Sequence, residues 1–244
     1  MPWFRNHRTA LARSVAVLAA LLLTAGLSPA ARASTSPGFD DEASQFSIFY
    51  DCRQGQNPCP GHGAVTDVAS PSEDGDALKI DYQSGNPSYM GIYAYRKWAA
   101  DHSATRFQIN YDFYFPNKTP IQALEFPMND YVSNTRYQWA MQWENRATGG
   151  SWRIWTGTQW LGIGIAQSLN ANTWYTLTID GDIASGQVHY MDFIVNGTSH
   201  SLTSYSYPPT GGAGDFLCAA MQLDGDSAAD PFAVYYDNSH FYWA

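Results

Sequence analysis

Positive charge is the scarcest resource in this chain, with 13 lysines and arginines against 22 aspartates and glutamates. Four of the 13 (Arg5, Arg8, Arg13 and Arg32) precede Ser34, so from Ser34 onward nine basic residues face 22 acids, a net charge of −13. A surface that acidic repels phosphate backbones and anionic headgroups, which sets aside nucleic acid and membrane as partners. It disfavours polyanionic glycans by the same argument, unless a local basic cleft overrides the average. No apolar run reaches spanning length: the longest, Ser14 to Leu27, is 14 residues, short of the roughly 20 a bilayer core requires. No helix-period segment of useful length follows it. A Gly-x-Ser-x-Gly elbow and phosphate-cradling glycine loops are also missing, so neither a serine hydrolase nor a nucleotide-binding fold is indicated.

What the first 33 residues do contain is the layout of a secretory signal peptide. Arg5, Arg8 and Arg13 lie before the apolar run, and Ala31-Arg32-Ala33 is a small-x-small cleavage site. The expectation is a leader over 1–33 and a single exported β-sandwich domain over 34–244, a length one such domain accommodates. Export favours disulfides. Of the three cysteines, Cys52 and Cys59 enclose a Gly- and Pro-containing loop suited to a bridge. Cys218, within Phe216 to Met221, reads as an inert core thiol. The segment Ser34–Asp41 reads as a loose tail.

The remainder alternates. Phe107, Ile109, Tyr111, Phe113 and Phe115 fall on one face of a strand whose other face is Gln108, Asn110, Asp112 and Tyr114. Leu124 and Phe126 oppose Ala123 and Glu125, and Tyr137, Trp139, Met141 and Trp143 oppose Gln138, Ala140, Gln142 and Glu144. Further strands are expected at 46–50, 77–82, 89–95, 152–156, 174–180, 187–195, 200–205, 216–223 and 232–243. Asn196-Gly197 and Ala184-Ser185-Gly186 mark turns. About a dozen short strands with no linker specify an all-β sandwich or barrel. Abundant Trp and Tyr with neutral Asn, Gln, Ser and Thr suit a neutral sugar, whose C–H faces stack on rings and whose hydroxyls need donors and acceptors.

Several blocks carry a resemblance. Ala69 to Gly75, Phe107 to Pro116 leading into Gln122 to Phe126, Tyr137 to Trp143, Leu169 to Tyr175, and Val234 to Asn238 resemble secreted bacterial members of the concanavalin A-like lectin/glucanase superfamily. That resemblance implies a two-sheet antiparallel jelly roll whose concave sheet holds a polysaccharide or oligosaccharide. It does not fix an activity, since lectins, glycoside hydrolases, polysaccharide lyases and adhesion modules share the fold.

On that frame the polar alternates Gln108, Asn110, Asp112, Glu125, Gln138, Gln142, Glu144 and Arg153 are candidate sugar contacts. Trp152, Trp155 and Trp160, in a glycine-rich stretch, are candidate stacking platforms. Glu125 and Glu144 are two of only four glutamates. On adjacent strands they would have the carboxylate spacing of a glycosidase. The three-acid strand of the glucanases is absent, however, for Pro127 and Asn129 stand where its carboxylates continue. Gln187-Val188-His189 matches the Gln-x-His tripeptide of jelly-roll alginate lyases without that family's other segments, so His189 reads as exposed or structurally bonded. No cofactor is expected. Asp224, Asp226 and Asp237, with Asp40 and Asp41, are weak candidates for a structural calcium, lacking the twelve-residue loop. Three readings stay open: a carbohydrate-binding protein for a neutral polysaccharide, a glycan-cleaving enzyme using Glu125 and Glu144, and a structural or adhesion protein without a glycan ligand.

Overall fold

The computed structural model describes residues 34–35, 38–39, 42–52, 59–146 and 149–244. The expected leader over 1–33 and the pair Asp40–Asp41 lie outside the described residues. In chain order the strands are β1 (Ser47–Cys52), β2 (Gly63–Val68), β3 (Ala77–Tyr82), β4 (Met90–Ala99), β5 (Arg106–Tyr114), β6 (Ile121–Val132) and β7 (Thr135–Glu144). They continue with β8 (Ser151–Trp155), β9 (Trp160–Ala166), β10 (Tyr175–Ala184), β11 (Gln187–Val195), β12 (Thr198–Ser201), β13 (Phe216–Gly225) and β14 (Phe232–Trp243).

Two antiparallel sheets result. The back sheet has the order β12-β11-β10-β5-β14-β3-β2, and the front sheet β9-β8-β7-β6-β13-β4-β1, each with short two-residue additions. This is a two-sheet antiparallel β-sandwich, the architecture that the resemblance implies. The alternating apolar side chains meet between the sheets: Phe107, Ile109, Tyr111 and Phe113 from β5 lie against Phe126, Trp139 and Trp143 from β6 and β7, all fully buried. Tyr111 and Phe113 pack on Phe126, and Phe107 on Trp139, with ring centroids 4.8–5.5 Å apart.

Turn chemistry fixes the registers. Asn196 and Gly197 both have positive φ, as do Ser185 and Gly186, which gives two-residue hairpins where the sequence marked them. A third such hairpin, at Ser133–Asn134 (φ 50° and 64°), joins β6 to β7 and sets Glu125 opposite Gln142. Two strands, β2 and β9, were not expected. Gly63–Val68 has little apolar alternation, and in Trp160–Ala166 glycines 162 and 164 occupy one face and weaken the signal.

Parts of the expected loose tail are anchored. Ser34 and Thr35 pair with Trp243 and Tyr242 of β14, and Phe39 is fully buried against Trp98 and Tyr111. Cys52 and Cys59 form the disulfide.

Candidate functional site

The outward face of the front sheet holds a cleft of about 690 Å³, lined by residues from all seven of its strands. Cross-strand registers resolve it into transverse rows. One row runs Phe49, Tyr93, Gln222, Glu125, Gln142, Arg153. Another runs Lys97, Cys218, Asn129, Gln138. Between them Tyr95 pairs with Ala220, and Pro127 with Ala140. Ala220, Pro127 and Ala140 thus form a floor row of small side chains, buried beneath the longer polar side chains that line the cleft on either flank. Aromatic rings stand at its two ends: Tyr95 on β4, and Trp155 with Trp160, register partners on β8 and β9 whose centroids lie 5.3 Å apart. From β4 to β8 is four strand spacings, roughly 19 Å.

Local structure explains the Trp155 wall. Tyr190, buried in the back sheet, sends its hydroxyl through the core to β7 and β8. It accepts from the Ala140 N–H (3.0 Å) and lies within bonding distance of the carbonyls of Trp155 (2.8 Å) and Ala140 (3.3 Å). The β7–β8 ladder runs from Glu144–Ser151 to Met141–Ile154 and stops there. The phenol therefore replaces the next rung, and burial holds its pKa well above the usual tyrosine range.

Polar groups in the cleft are partly committed. Glu125 (6% exposed) accepts from Gln142 Nε2 at 2.7 Å. Gln222 donates to Asp224 at 2.8 Å. Glu144 Oε2 receives both Arg153 and Arg146. Other groups are not committed: Gln122 Oε1, Gln142 Oε1, Asn129 Oδ1 and Trp155 Nε1 are buried in the cleft lining with no hydrogen-bond partner in the protein. A buried polar atom left in that state costs on the order of 1–3 kcal/mol, which a hydroxyl-bearing ligand recovers.

The structure gathers Glu125, Gln138, Gln142, Glu144, Arg153, Trp155 and Trp160 in this one cleft. Three expected contacts are corrected. Gln108, Asn110 and Asp112 do face out from their strand, but β5 pairs with β10 and β14 in the back sheet, on the opposite side of the sandwich. Trp152 is no stacking platform: it is 0% exposed, packs on Phe193 and Phe126, and donates to Gln167 Oε1 at 2.7 Å. In a strand, 152 and 155 necessarily face opposite ways.

Cys218 is buried but on the cleft face rather than in the core. Burial pushes its thiol up to about 12, with Lys97 pulling the other way, so it stays protonated. His189 has both ring nitrogens engaged, by Asp182 (2.8 Å) and the Thr203 carbonyl (3.1 Å). The calcium candidates are dispersed. Asp224 is buried beside Gln222, Asp226 caps the turn to Ala229, and Asp237 lies in the back sheet accepting from Glu73 N. Among the described residues no group of three or more His, Cys, Asp or Glu side chains is placed to hold an ion.

Sequence reasoning missed Phe49, Tyr93, Tyr95, Tyr131, Lys97, Arg136 and Phe216, which also line the cleft. Phe49, at 58% exposure, is one of two large exposed apolar residues among the described residues. The alternation of Tyr93 and Tyr95 within the strand expected at 89–95 was the available signal.

No protein-family model matches the chain, and no curated protein matches it. Solved structures of similar course include lectin I from Ulex europaeus bound to the methyl glycoside of α-L-fucose (10% identity, 86% of this chain and 96% of that one, TM-score 0.49). They include the cellulose-induced protein Cip1 (10%, 83% and 95%, 0.48) and an alginate lyase Aly36B mutant with alginate trisaccharide (14%, 73% and 87%, 0.47). Likenesses this distant say nothing about what the cleft holds.

Proposed function

We propose that this protein binds a polysaccharide laid across the strands of the front sheet, and that it does so outside the cell after removal of residues 1–33. The observation that carries the reading is the trough itself. Its ends offer Tyr95 and Trp155–Trp160 for stacking, and its flanks hold buried amide oxygens with no partner in the protein. The span between the aromatic ends suits several linked sugars rather than one. A flat adhesion surface would have no reason to bury unsatisfied amides around an open trough.

Residues 34–244 should be retarded in affinity electrophoresis through at least one soluble polysaccharide, and Trp155→Ala should weaken that retention by tenfold or more. Migration unchanged through every polysaccharide tried would remove the reading.

One observation favours turnover as a second reading. Glu125 faces Gln142 and Glu144 faces Ala123, so the two glutamates are diagonal neighbours, roughly 7–8 Å apart at the backbone. That spacing is compatible with inverting hydrolysis. Against it, Glu144 is held by two arginines. Reducing ends released by the native protein but not by Glu125→Gln, with binding kept, would establish cleavage.

A further inference from the structure

Among the described residues, two of the three basic side chains that lack a carboxylate partner stand on one flank of the trough. Of the nine lysines and arginines after residue 33, Arg53 lies outside the described residues. Lys79 pairs with Asp81, Arg96 with Glu42, Arg106 with Asp180, and Arg146 and Arg153 with Glu144. Lys118 donates to the Leu169 carbonyl. Lys118, Lys97 and Arg136 thus make no ion pair with a carboxylate among the described residues; Arg136 Nε donates to the Thr210 hydroxyl (3.2 Å), and of the three only Lys97 and Arg136 line the cleft.

Their placement is specific. Lys97 stands on β4 and Arg136 on β7, both on the Asn129 side of the trough floor. Between them Tyr131 and Phe216 stack with centroids 4.4 Å apart, and Lys97 Nζ sits 4.0 Å from the Phe216 ring centroid. The cleft's acidic side chains (Asp51, Glu125 and Glu144) lie on the other side of the floor. Glu144 is already neutralised there by its two arginines. Along the direction the sugar chain takes, Lys97 and Arg136 are three strand spacings apart, roughly 14 Å. One carboxylate cannot reach both, whereas acid groups repeated along a polymer can.

Resting on the polysaccharide reading above, we propose that the ligand is a polyuronate, lying with its carboxylates toward Lys97 and Arg136 and its hydroxyl edge toward Glu125, Gln142 and Gln222. The expectation of a neutral sugar came from the neutral hydrogen-bonding and aromatic composition, with the net charge disfavouring polyanions unless a local basic cleft overrides it. At contact distance the local pair outweighs that average, because charges beyond about 8–10 Å are screened at physiological salt. Guanidinium and ammonium donors on carboxylate are also among the stronger hydrogen bonds.

The test uses hexasaccharides of glucuronate, galacturonate, mannuronate and guluronate, each beside its carboxyl-reduced neutral form, titrated calorimetrically into residues 34–244. At least one uronate should bind ten times or more tighter than its reduced form. Lys97→Gln and Arg136→Gln should each weaken that uronate about tenfold, the loss of one charge-assisted contact, while leaving the reduced form's affinity unchanged. Lys79→Gln, the same charge change on the back sheet, should do neither. Equal affinity for a uronate and its reduced form, or variants that lower both alike, overturns the polyuronate assignment and leaves polysaccharide binding standing. No binding of any hexasaccharide, acidic or reduced, overturns both.

Discussion

Two tryptophans three residues apart show how much a single position decides. Trp152 and Trp155 share a five-residue strand, yet one is core and the other is cleft wall. Trp152→Ala removes a fully buried indole and its bond to Gln167, and should cost roughly 3–5 kcal/mol of stability in chemical denaturation. Trp155→Ala should leave the midpoint nearly unchanged while weakening glycan retention. Sequence periodicity resolved this where the strand was long: the inward phase of Trp139, Met141 and Trp143 was readable because four alternations agree. The strand expected at 152–156 is short and flanked by the glycines at 149, 150 and 157, which leaves too few alternations to set its phase.

Asp130 provides a pH signature at the same scale. Burial, with help from the nearby charges of Asp215 and Asp101 and against that of His102, pushes its carboxyl up to about 6. An acid whose folded pKa is raised binds its proton more tightly when folded, so stability is greatest below its unfolded value near 4 and is lost as pH rises toward 6. The penalty fully developed above pH 7 is of the order of 2–3 kcal/mol. Asp130→Asn should therefore raise the urea midpoint at pH 7.5 and leave it almost unchanged at pH 4. Equal gains at both pH values would mean the buried proton is not the cause.

At the scale of elements, the Tyr190 hydroxyl is the join between the two sheets that most directly shapes the cleft. The phenylalanine variant removes the partner of the Ala140 N–H, and it deprives the Trp155 carbonyl of a donor. An unsatisfied buried backbone group costs about 1–3 kcal/mol. Tyr190→Phe should lower the thermal midpoint, speed exchange of the Ala140 amide, and weaken glycan retention through Trp155, although Tyr190 never touches the cleft. Nothing in the sequence announces this, because a tyrosine on an inward phase reads as core whether or not its hydroxyl reaches across. The β6–β7 hairpin was hidden for a related reason. Ser133-Asn134 adopts the conformation that Asn-Gly signals elsewhere in the chain, but with a residue pair that seldom marks it.

For the whole molecule, alternation told which side of each strand faces out but not which sheet the strand joins. Consecutive strands β5 and β6 both show polar outer faces, and their separation onto opposite sheets depends on the crossing from Phe115 to Pro120, which has no periodic signature. Seven of the eleven residues expected on the saccharide face line the cleft, and for that reason Gln108, Asn110 and Asp112 were carried to the far side. The consequence is measurable. Gln108→Ala with Asn110→Ala removes two polar alternates of the same chemistry as Gln138 and Gln142, with comparable loss of surface polarity. If the front sheet alone holds the ligand, the β5 pair should leave glycan affinity within twofold of native. Gln138→Ala with Gln142→Ala should reduce it at least tenfold, because Gln142 both carries an unpartnered buried oxygen and holds Glu125 in place. Equal losses from the two pairs would put ligand on both faces of the sandwich. A loss from β5 alone would place recognition on the back sheet, where β5 lies between β10 and β14, and the trough would then need another purpose.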